Sequence, residues 1–513
     1  MPHNLGDLLA RAGVGPRLAL VDLRHSDAPV ELSAGELERR LHAFARGLAA
    51  RGVEAGARVG FLSDNRWEML VGYLGTMLAG AVAVPINHKF PRATVEHILR
   101  DSEVELLFFD EERTGLVPEG AASVGFDPSG ELDDFLDFGD FEAFRPQRGD
   151  LAEILYTSGS TGLPKGVPLD HHGQLWAVSK YLEPFERDEA GAAVAGGASL
   201  IVAPLFHMNA LFFSSVCLLN AITVVMQPRF DAARYIEAVG RYRCSRLSGV
   251  PTMFAMVGRL DVSQIPKDLS SVESVFVGSA PLSETVVAQI GALFPAAQIS
   301  NGYGTTEAGP AVFGPHPEGK PRPMLSIGYP MDDVEWRLVG GATDSEGALE
   351  LRTEALTRGY LNRPEADRER FADGWYKTND VMRHDEDGFF YFVSRADDMF
   401  VCGGENIFPS EVEELVHRHP GVQQTLVVGA PDDLKGRVPV AFVVPRSQSS
   451  ADSELEASIQ SFCIENAPAY LHPRRVVFKD VLPVGGTHKI DRTMLEREAA
   501  ELMVAEGRAS AEE

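Results

Sequence analysis

Cysteine is scarce in this chain. Its 513 residues hold four, Cys217, Cys244, Cys402 and Cys463, far apart and with no CxxC pair. That usage argues against a disulfide scaffold and against a structural zinc, and it fits a reducing cytoplasm. Basic residues are short as well: Lys and Arg total 47 against 74 Asp and Glu, a formal net charge of −27. A protein that grips phosphate backbones or anionic membranes carries a basic footprint, and this chain has the reverse. No nucleic-acid partner is expected. Long apolar runs are also missing. The most apolar stretch, Leu211–Met226, is broken by Ser214, Ser215 and Asn220. It falls short of the roughly 20 residues a membrane span needs, and a buried helix–strand pair explains it better. The opening MPHNLGDLLARAG has no basic segment followed by a long apolar one, so no signal peptide is expected. What remains is ordinary for a globular protein, with 44% hydrophobic and 24% charged residues. At roughly 150 residues per domain, the length implies about three domains, or one large and one small.

The first third alternates helix and strand signals. Ser33 to Glu36 has capping-box spacing, Leu37, Leu41, Phe44 and Leu48 share one helical face, and Gly52 stands where a helix-ending glycine belongs. Apolar strands are predicted at 59–62, 81–85, 106–109, 200–203, 223–226 and 275–277, with helices between them. Such alternation packs helices on a largely parallel sheet, and its two blocks predict two α/β subdomains. The acidic, turn-rich segment 110–150 reads as a surface excursion. After about residue 325 the pattern changes to antiparallel strands, a small β-barrel-like part. From Arg395 a compact α+β pattern follows, with an acidic, alanine-rich helical end.

The strongest local signal is Tyr156-Thr-Ser-Gly-Ser-Thr-Gly-Leu-Pro-Lys-Gly166, directly after a predicted strand at 151–155. Glycines let backbone N–H groups approach an anion, the hydroxyls of Thr157, Ser158, Ser160 and Thr161 add donors, and Lys165 adds charge. This is phosphate-cradle chemistry. It is not a Walker A loop, because Pro164 stands where that motif places glycine before lysine.

With that loop the sequence resembles the adenylate-forming superfamily of acyl-CoA synthetases, luciferases and adenylation domains. The likeness continues through His207 in PLFH, Gly278-Ser-Ala-Pro281, Asn301-Gly-Tyr-Gly-Thr-Thr-Glu307, Trp375-Tyr-Lys-Thr-Asn-Asp380, Ser394-Arg-Ala-Asp-Asp398, Gly403-Gly-Glu-Asn406 and Lys489 in GGTHKIDR. Order and spacing match over essentially the whole chain. The resemblance implies two half-reactions. A carboxylate attacks the α-phosphate of ATP to give acyl-AMP and pyrophosphate; coenzyme A then displaces AMP to give a thioester. It also implies a large adenylation domain over 1–394 and a mobile lid domain over 395–513.

Residue by residue, the resemblance assigns ATP or AMP contacts to Thr157, Ser158, Gly159, Ser160, Thr161, Gly162 and Lys165. It puts Ser279, Ala280 and Pro281 on one wall of the adenine slot. Asn301, Gly302, Gly304 and the stacking ring of Tyr303 belong to the other side. Thr306 would bond the α-phosphate and Glu307 would ligate Mg²⁺, which suits hard oxygen ligands beside a nucleotide. Asp380 would accept both ribose hydroxyls, and Arg395 would touch ribose or phosphate. Asp397 matches a hinge, Gly403 and Gly404 a CoA-binding turn, and Lys489 the lysine delivered to the α-phosphate and the attacking carboxylate. His207, with Asn209, Phe212, Phe213, Phe276, Val277, Gly304 and Thr305, outlines the acyl pocket. That set holds no arginine, so a diacid is disfavoured and an aromatic or medium-chain apolar monocarboxylate is expected. Two departures from the family pattern stand out: Asn379 replaces a usual glycine, and His488 replaces the glycine before Lys489. Asn tolerates positive φ, so the first is expected to be harmless.

The expected activity is therefore an AMP-forming acid–thiol ligase using ATP, Mg²⁺ and coenzyme A. A small-molecule carboxylic acid is its partner, and a homodimer is compatible with the sequence. The rivals are an acyl-AMP ligase that loads a carrier protein, an adenylate-consuming enzyme with a non-thiol nucleophile, and a degenerate binding protein. Cys402 reads as packing, and His171, His172, His417 and His419 as surface histidines.

Overall fold

A computed structural model of the chain describes residues 1–513 apart from 26, 127–129, 158–162, 184–185, 190, 192, 195, 281, 397, 403–404, 433–434, 448–450, 469–470, 486–489 and 513. The side chains of 262, 342, 406 and 504–512 also lie outside the description. The chain divides into two compact units. One holds 1–336 with 351–377, the other 337–350 with 378–513.

The first unit is built on two mostly parallel sheets. One runs Gln298–Gly302, Ser274–Gly278, Cys244–Gly249, Ala198–Ile201, Thr223–Met226, Leu18–Asp22, Val30–Ser33, all parallel except the last pair. The other runs Ser123–Gly125, Val104–Phe109, Arg58–Leu62, Val82–Pro85, Leu151–Thr157, Lys165–Asp170, again antiparallel only at the last pair. These are the two expected α/β subdomains. The capping box forms as predicted: Ser33 accepts from the Glu36 N–H while Glu36 accepts from the Ser33 N–H at 2.8 Å, opening the helix Ala34–Ala50. That helix buries its apolar face with Phe44 at the centre, 4.8 Å from Phe108 and 4.9 Å from Phe135, ring centroid to centroid. The predicted helix–strand pair is Met208–Leu219 followed by Thr223–Met226, buried almost throughout. No described helix is long and apolar enough to cross a membrane.

Three expectations need correction. The segment 110–150 is not merely a surface excursion. It adds the edge strand Ser123–Gly125 and the short helix Glu131–Phe135, whose Leu132 and Phe135 are buried in the main core. The strand-rich part after 325 closes no barrel among the described residues. It has the strands Glu335–Thr343 and Glu346–Arg352 and includes the antiparallel pairs Phe371–Ala372 against Trp375–Tyr376 in the first unit and Asp380–His384 against Phe390–Arg395 in the second. His171 and His419 are not surface histidines. His171 is 1% exposed and accepts from the Leu5 N–H at 3.1 Å, and burial pushes its pKa down to about 4. His419 is buried and accepts from the Gly421 N–H.

The second unit has a sheet ordered Glu405–Ile407, Phe400–Cys402, Gly436–Pro445, Val422–Asp432, with Arg475–Phe478 parallel to Gly436–Pro445. The long hairpin of Val422–Asp432 and Gly436–Pro445 carries apolar side chains on both faces. One face packs on Val412, Val416, Ile459 and Cys463, the other on Leu482, Leu495 and Ala499. Cys402 is buried in that core, as expected.

Candidate functional site

The phosphate-loop sequence closes a β-hairpin. Strands Leu151–Thr157 and Lys165–Asp170 are antiparallel, with Tyr156 opposite Gly166 and Thr157 opposite Lys165. The hairpin therefore holds the first hydroxyl and the lysine of the motif side by side. Ser158, Gly159, Ser160, Thr161 and Gly162, which connect them, lie outside the described residues. Lys165 does not simply reach into solvent: its ammonium lies 4.9 Å from the centroid of the Tyr360 ring, a cation–π contact. The hairpin is tied to the Tyr360 segment by the Leu361 N–H, which donates to the Gly166 carbonyl at 2.8 Å.

Tyr360 carries the arrangement onward. Its hydroxyl donates to Glu307 Oε1 at 2.9 Å, and Glu307 is 8% exposed. Burial first and the Glu307 charge second push the Tyr360 phenol well above its ordinary pKa. Burial first, then the charges of Glu307, Tyr360 and Tyr303, raises the Tyr376 phenol as well. Lys165, Glu307, Tyr303, Tyr360 and Tyr376 thus form one cluster. Tyr360 and Tyr376 are the site residues that sequence reasoning missed. The sequence signals were Tyr376's place inside the Trp375–Asp380 motif and, for Tyr360, a tyrosine directly after Arg358-Gly359.

Two neighbouring parallel strands deliver the rest. Gly278 and Gly302 are paired at the C-terminal ends of Ser274–Gly278 and Gln298–Gly302, the end where α/β sheets place ligands. Ser279 follows in left-handed backbone, φ 65°, and is exposed; Ala280 is half-buried, and Pro281 lies outside the described residues. Asn301 turns its amide away from a free edge, donating to the Leu325 carbonyl at 2.8 Å. The half-buried Tyr303 ring stands edge-on to Phe313 at 5.8 Å. Gly304 has no room for a side chain, because a Cβ there would lie 2.2 Å from the Pro310 backbone. Thr305 and Gly309 exchange backbone hydrogen bonds of 2.9 and 3.0 Å, and the Thr305 hydroxyl accepts from the Ala308 N–H. This tight turn carries Thr306, half-buried, and Glu307.

The candidate acyl-pocket residues separate into two groups. Phe213 and Phe276 meet at 4.9 Å and keep accessible surface; His207 and Asn209, at the start of the helix Met208–Leu219, are also half-buried. The Asn209 side-chain oxygen is buried without a hydrogen-bond partner. Val277 and Phe212 behave otherwise. Val277 follows Phe276 along a strand, so its side chain takes the opposite face, where it is fully buried with Val275 and Phe254. Phe212 is 3% exposed and packs in the main core.

In the second unit, Asp380 is buried and receives an ion pair from Arg395 at 3.3 Å across the pair Asp380–Arg395. The Thr378 hydroxyl accepts from the Asp380 N–H at 3.0 Å. Asn379 has a φ of 62°, the left-handed backbone that a glycine would adopt freely. The substitution is accommodated as the sequence suggested. Asp397, Gly403, Gly404 and Lys489, with His488, lie outside the described residues.

The fold, the phosphate-loop hairpin and the cluster around Glu307 define a nucleotide-dependent acid-activating enzyme. The chain belongs to the AMP-binding enzyme family of adenylate-forming ligases: the family pattern matches residues 10–361, and that of its C-terminal domain matches 411–489. The chain is 34% identical over 489 residues to a feruloyl-CoA synthase from Amycolatopsis sp., covering 94% of this chain and 96% of that one. It is 32% identical to a 3-hydroxybenzoate–CoA ligase from Aromatoleum sp. (strain CIB), covering 90% of each. Among solved structures, the anthranilate CoA ligase AuaEII in complex with anthranoyl-AMP superposes with a TM-score of 0.84 at 26% identity, covering 98% of this chain and 99% of that one.

Proposed function

We propose that this chain activates a monocarboxylic acid with an aromatic or medium-length apolar body, forming acyl-AMP from ATP and then the CoA thioester. The observation that carries this reading is the linkage of the phosphate-loop hairpin to Glu307 through Tyr360. It gathers a lysine, hydroxyls and a carboxylate where a triphosphate needs cationic, donor and metal contacts at once. The relatives named for CoA ligation of aryl acids support the same activity.

In this reading Thr157 and Lys165, with 158–162 between them, bind the β- and γ-phosphates. Thr306 donates to an α-phosphate oxygen. Tyr303 stacks on adenine against Ser279, Ala280 and Pro281; the Gly302 and Gly304 backbones line the slot, and Asp380 with Arg395 binds the ribose. Mg²⁺ fits Glu307: its donors are hard oxygens, and such ions take one or two carboxylates plus phosphates. Bound there, the ion would neutralise phosphate charge as the acid approaches. Lys489 supplies a mobile point charge to the α-phosphate and the attacking carboxylate, and both anions need that neutralisation in line. Residues 395–513 act as the lid, turning at Asp397, with Gly403 and Gly404 lining the thiol path. His207, Phe213 and Phe276 border the acyl group.

The test is pyrophosphate release across a panel of carboxylic acids, with mass spectrometry of the products when CoA is present. A carrier-loading ligase would form AMP and little acyl-CoA. A dicarboxylate or amino acid as best substrate by kcat/KM would overturn the reading.

A further inference from the structure

The helix His171–Ser179 hangs directly from the phosphate-loop hairpin. The hairpin's return strand ends at Asp170, whose carboxylate caps the helix by accepting from the Gly173 N–H at 2.7 Å. The helix then packs on the two segments that hold Glu307. Gly173 has no room for a side chain, because a Cβ there would lie 2.8 Å from the Ala355 Cα. One turn on, the half-buried Trp176 sets the edge of its ring against Gly309. A Cβ on that glycine would meet Trp176 Cζ3 at 3.5 Å and the Ala355 methyl at 3.4 Å. Gly309 closes the turn from Thr305, and its φ of 113° is one that residues with side chains rarely adopt. Inside the turn, the Ala308 carbonyl accepts from the Thr353 hydroxyl at 2.7 Å and the Glu307 carbonyl from the Thr357 N–H at 2.8 Å. Trp176 is braced in its turn. Its indole N–H donates to Asp333 Oδ2 at 2.6 Å. Lys180, at the helix end, binds the same carboxylate, and its ammonium stands 5.0 Å from the Trp176 ring centroid. Asp333 lies in the turn Met331–Val334, which the Met331 N–H ties to the Val312 carbonyl at 3.1 Å.

We propose that Trp176, braced by Asp333 and Lys180, is a positioning residue for adenylation that holds the Thr305–Gly309 turn in register with the phosphate-loop hairpin. This rests on the function proposed above, and Trp176 acts only through Thr306 and Glu307. Tyr360 joins the loop lysine to Glu307 by one path; the helix from Asp170 to Trp176 joins the same two parts by a second. A tryptophan has two side-chain torsions. With its Cα on the helix and its N–H held by a carboxylate, neither is free to turn the ring aside. Gly309 lets that ring meet the backbone of the turn directly, so the ring acts as a fixed stop. A turn displaced by about 1 Å would carry Thr306 and Glu307 out of line with Lys165, and a displacement of that size costs about 10²-fold in a positioned reaction. The Lys180–Asp333 pair is partly exposed, and such pairs contribute little to folding. Its loss is therefore expected to be read in the site rather than in the melting temperature.

The test measures both half-reactions in single turnover, in full-length wild type, Trp176→Ala, Trp176→Phe and Asp333→Asn. Both steps are read on one sample, so an unfolded fraction lowers them alike. The acid is the one that gives the fastest pyrophosphate release in wild type. Trp176→Ala is expected to slow pyrophosphate formation by about 10–100-fold yet to convert supplied acyl-AMP to thioester within about threefold of wild type, because the second step uses neither the metal nor the β- and γ-phosphates. Trp176→Phe keeps a ring at Gly309 but has no N–H for Asp333, and Asp333→Asn keeps an acceptor without its charge. Both are expected to slow the first step selectively, by about three- to tenfold, and they decide the matter if Trp176→Ala does not fold. A second measurement needs no turnover: calorimetric titration of α,β-methylene-ATP with and without Mg²⁺. The ion is expected to tighten binding in wild type and to do so about tenfold less in Trp176→Ala. Equal slowing of the two steps, or an unchanged first step with an unchanged Mg²⁺ effect, overturns the proposal. Either result leaves the proposed function standing; a wild type that releases no pyrophosphate with any carboxylic acid removes both.

Discussion

The Tyr360 hydroxyl donates to Glu307 at 2.9 Å while the same ring faces the Lys165 ammonium. One side chain thus fixes both the proposed metal ligand and the phosphate-loop lysine. A hydrogen bond to a charged group contributes about 1.5–3 kcal/mol, so Tyr360→Phe is expected to lower adenylation kcat/KM by about 10–100-fold. Because the tyrosine positions a ligand, the loss should appear as a higher Mg²⁺ requirement. A merely structural role would leave the Mg²⁺ titration of the variant on that of the wild type.

Glu307→Gln tests the ligand itself. It removes the one carboxylate of the cluster while keeping its shape, so adenylation should fall strongly and its Mg²⁺ dependence flatten. An unchanged kcat and metal response would take Glu307 out of the site.

Phe276 sits over a glycine that no other residue can replace without moving the ring: a Cβ on Gly302 would lie 1.8 Å from the Phe276 ring. Phe276→Ala should widen the pocket and shift kcat/KM toward bulkier acids. Gly302→Ala should act in the opposite sense, driving the ring into the pocket and favouring smaller acids. A substrate profile that both substitutions leave untouched would place the acyl group elsewhere.

Glu153 links the phosphate-loop strand to stability. It lies fully buried between strands, accepts from Tyr73 at 2.9 Å, and burial pushes its pKa up to about 7. The folded state therefore holds a proton that the unfolded chain releases near 4.5, and stability falls as pH rises from about 4.5 to 7. His171 has the opposite slope: its folded pKa of about 4 costs stability as pH falls below about 6.5. Glu153→Gln, neutral at every pH, should raise the melting temperature relative to wild type at pH 8 and much less at pH 5. An equal shift at both values would refute the titration.

The parts legible in the sequence are those whose chemistry is local. The capping box at Ser33, the strand before Tyr156 and the helix–strand pair after Met208 follow from spacing and hydrophobic period. Thr157 opposite Lys165 could be anticipated from a strand leading into a glycine-rich turn, though its return strand Lys165–Asp170 was not. Tyr360 was invisible because its partner Glu307 lies 53 residues away and a lone tyrosine carries no pattern. Tyr376 stood inside the Trp375–Asp380 motif, but nothing in that motif's spacing announces a role for its ring. Val277 was misread because alternation along a strand sends adjacent residues to opposite faces. His171 was misread because its burial comes from the amino-terminal segment at Leu5, which no neighbouring residue announces.

The remaining prediction concerns the two half-reactions. Lys489 and Gly403-Gly404 belong to the same C-terminal stretch, yet the resemblance gives them to different steps. The resemblance implies that the two steps use different poses, so rotation at Asp397 is expected to exchange them. Removing a transition-state cation costs about 10²–10³ in rate. Lys489→Ala should therefore be nearly inert from ATP and acid, yet still convert supplied acyl-adenylate to thioester. Gly404→Leu should do the reverse, releasing pyrophosphate normally and failing with CoA, because a side chain there obstructs pantetheine. Asp397→Pro should stiffen the hinge and impair whichever pose it disfavours. Single-turnover measurements of each half-reaction decide the matter. If Lys489→Ala and Gly404→Leu slow both steps equally, the two-pose cycle does not operate in this protein.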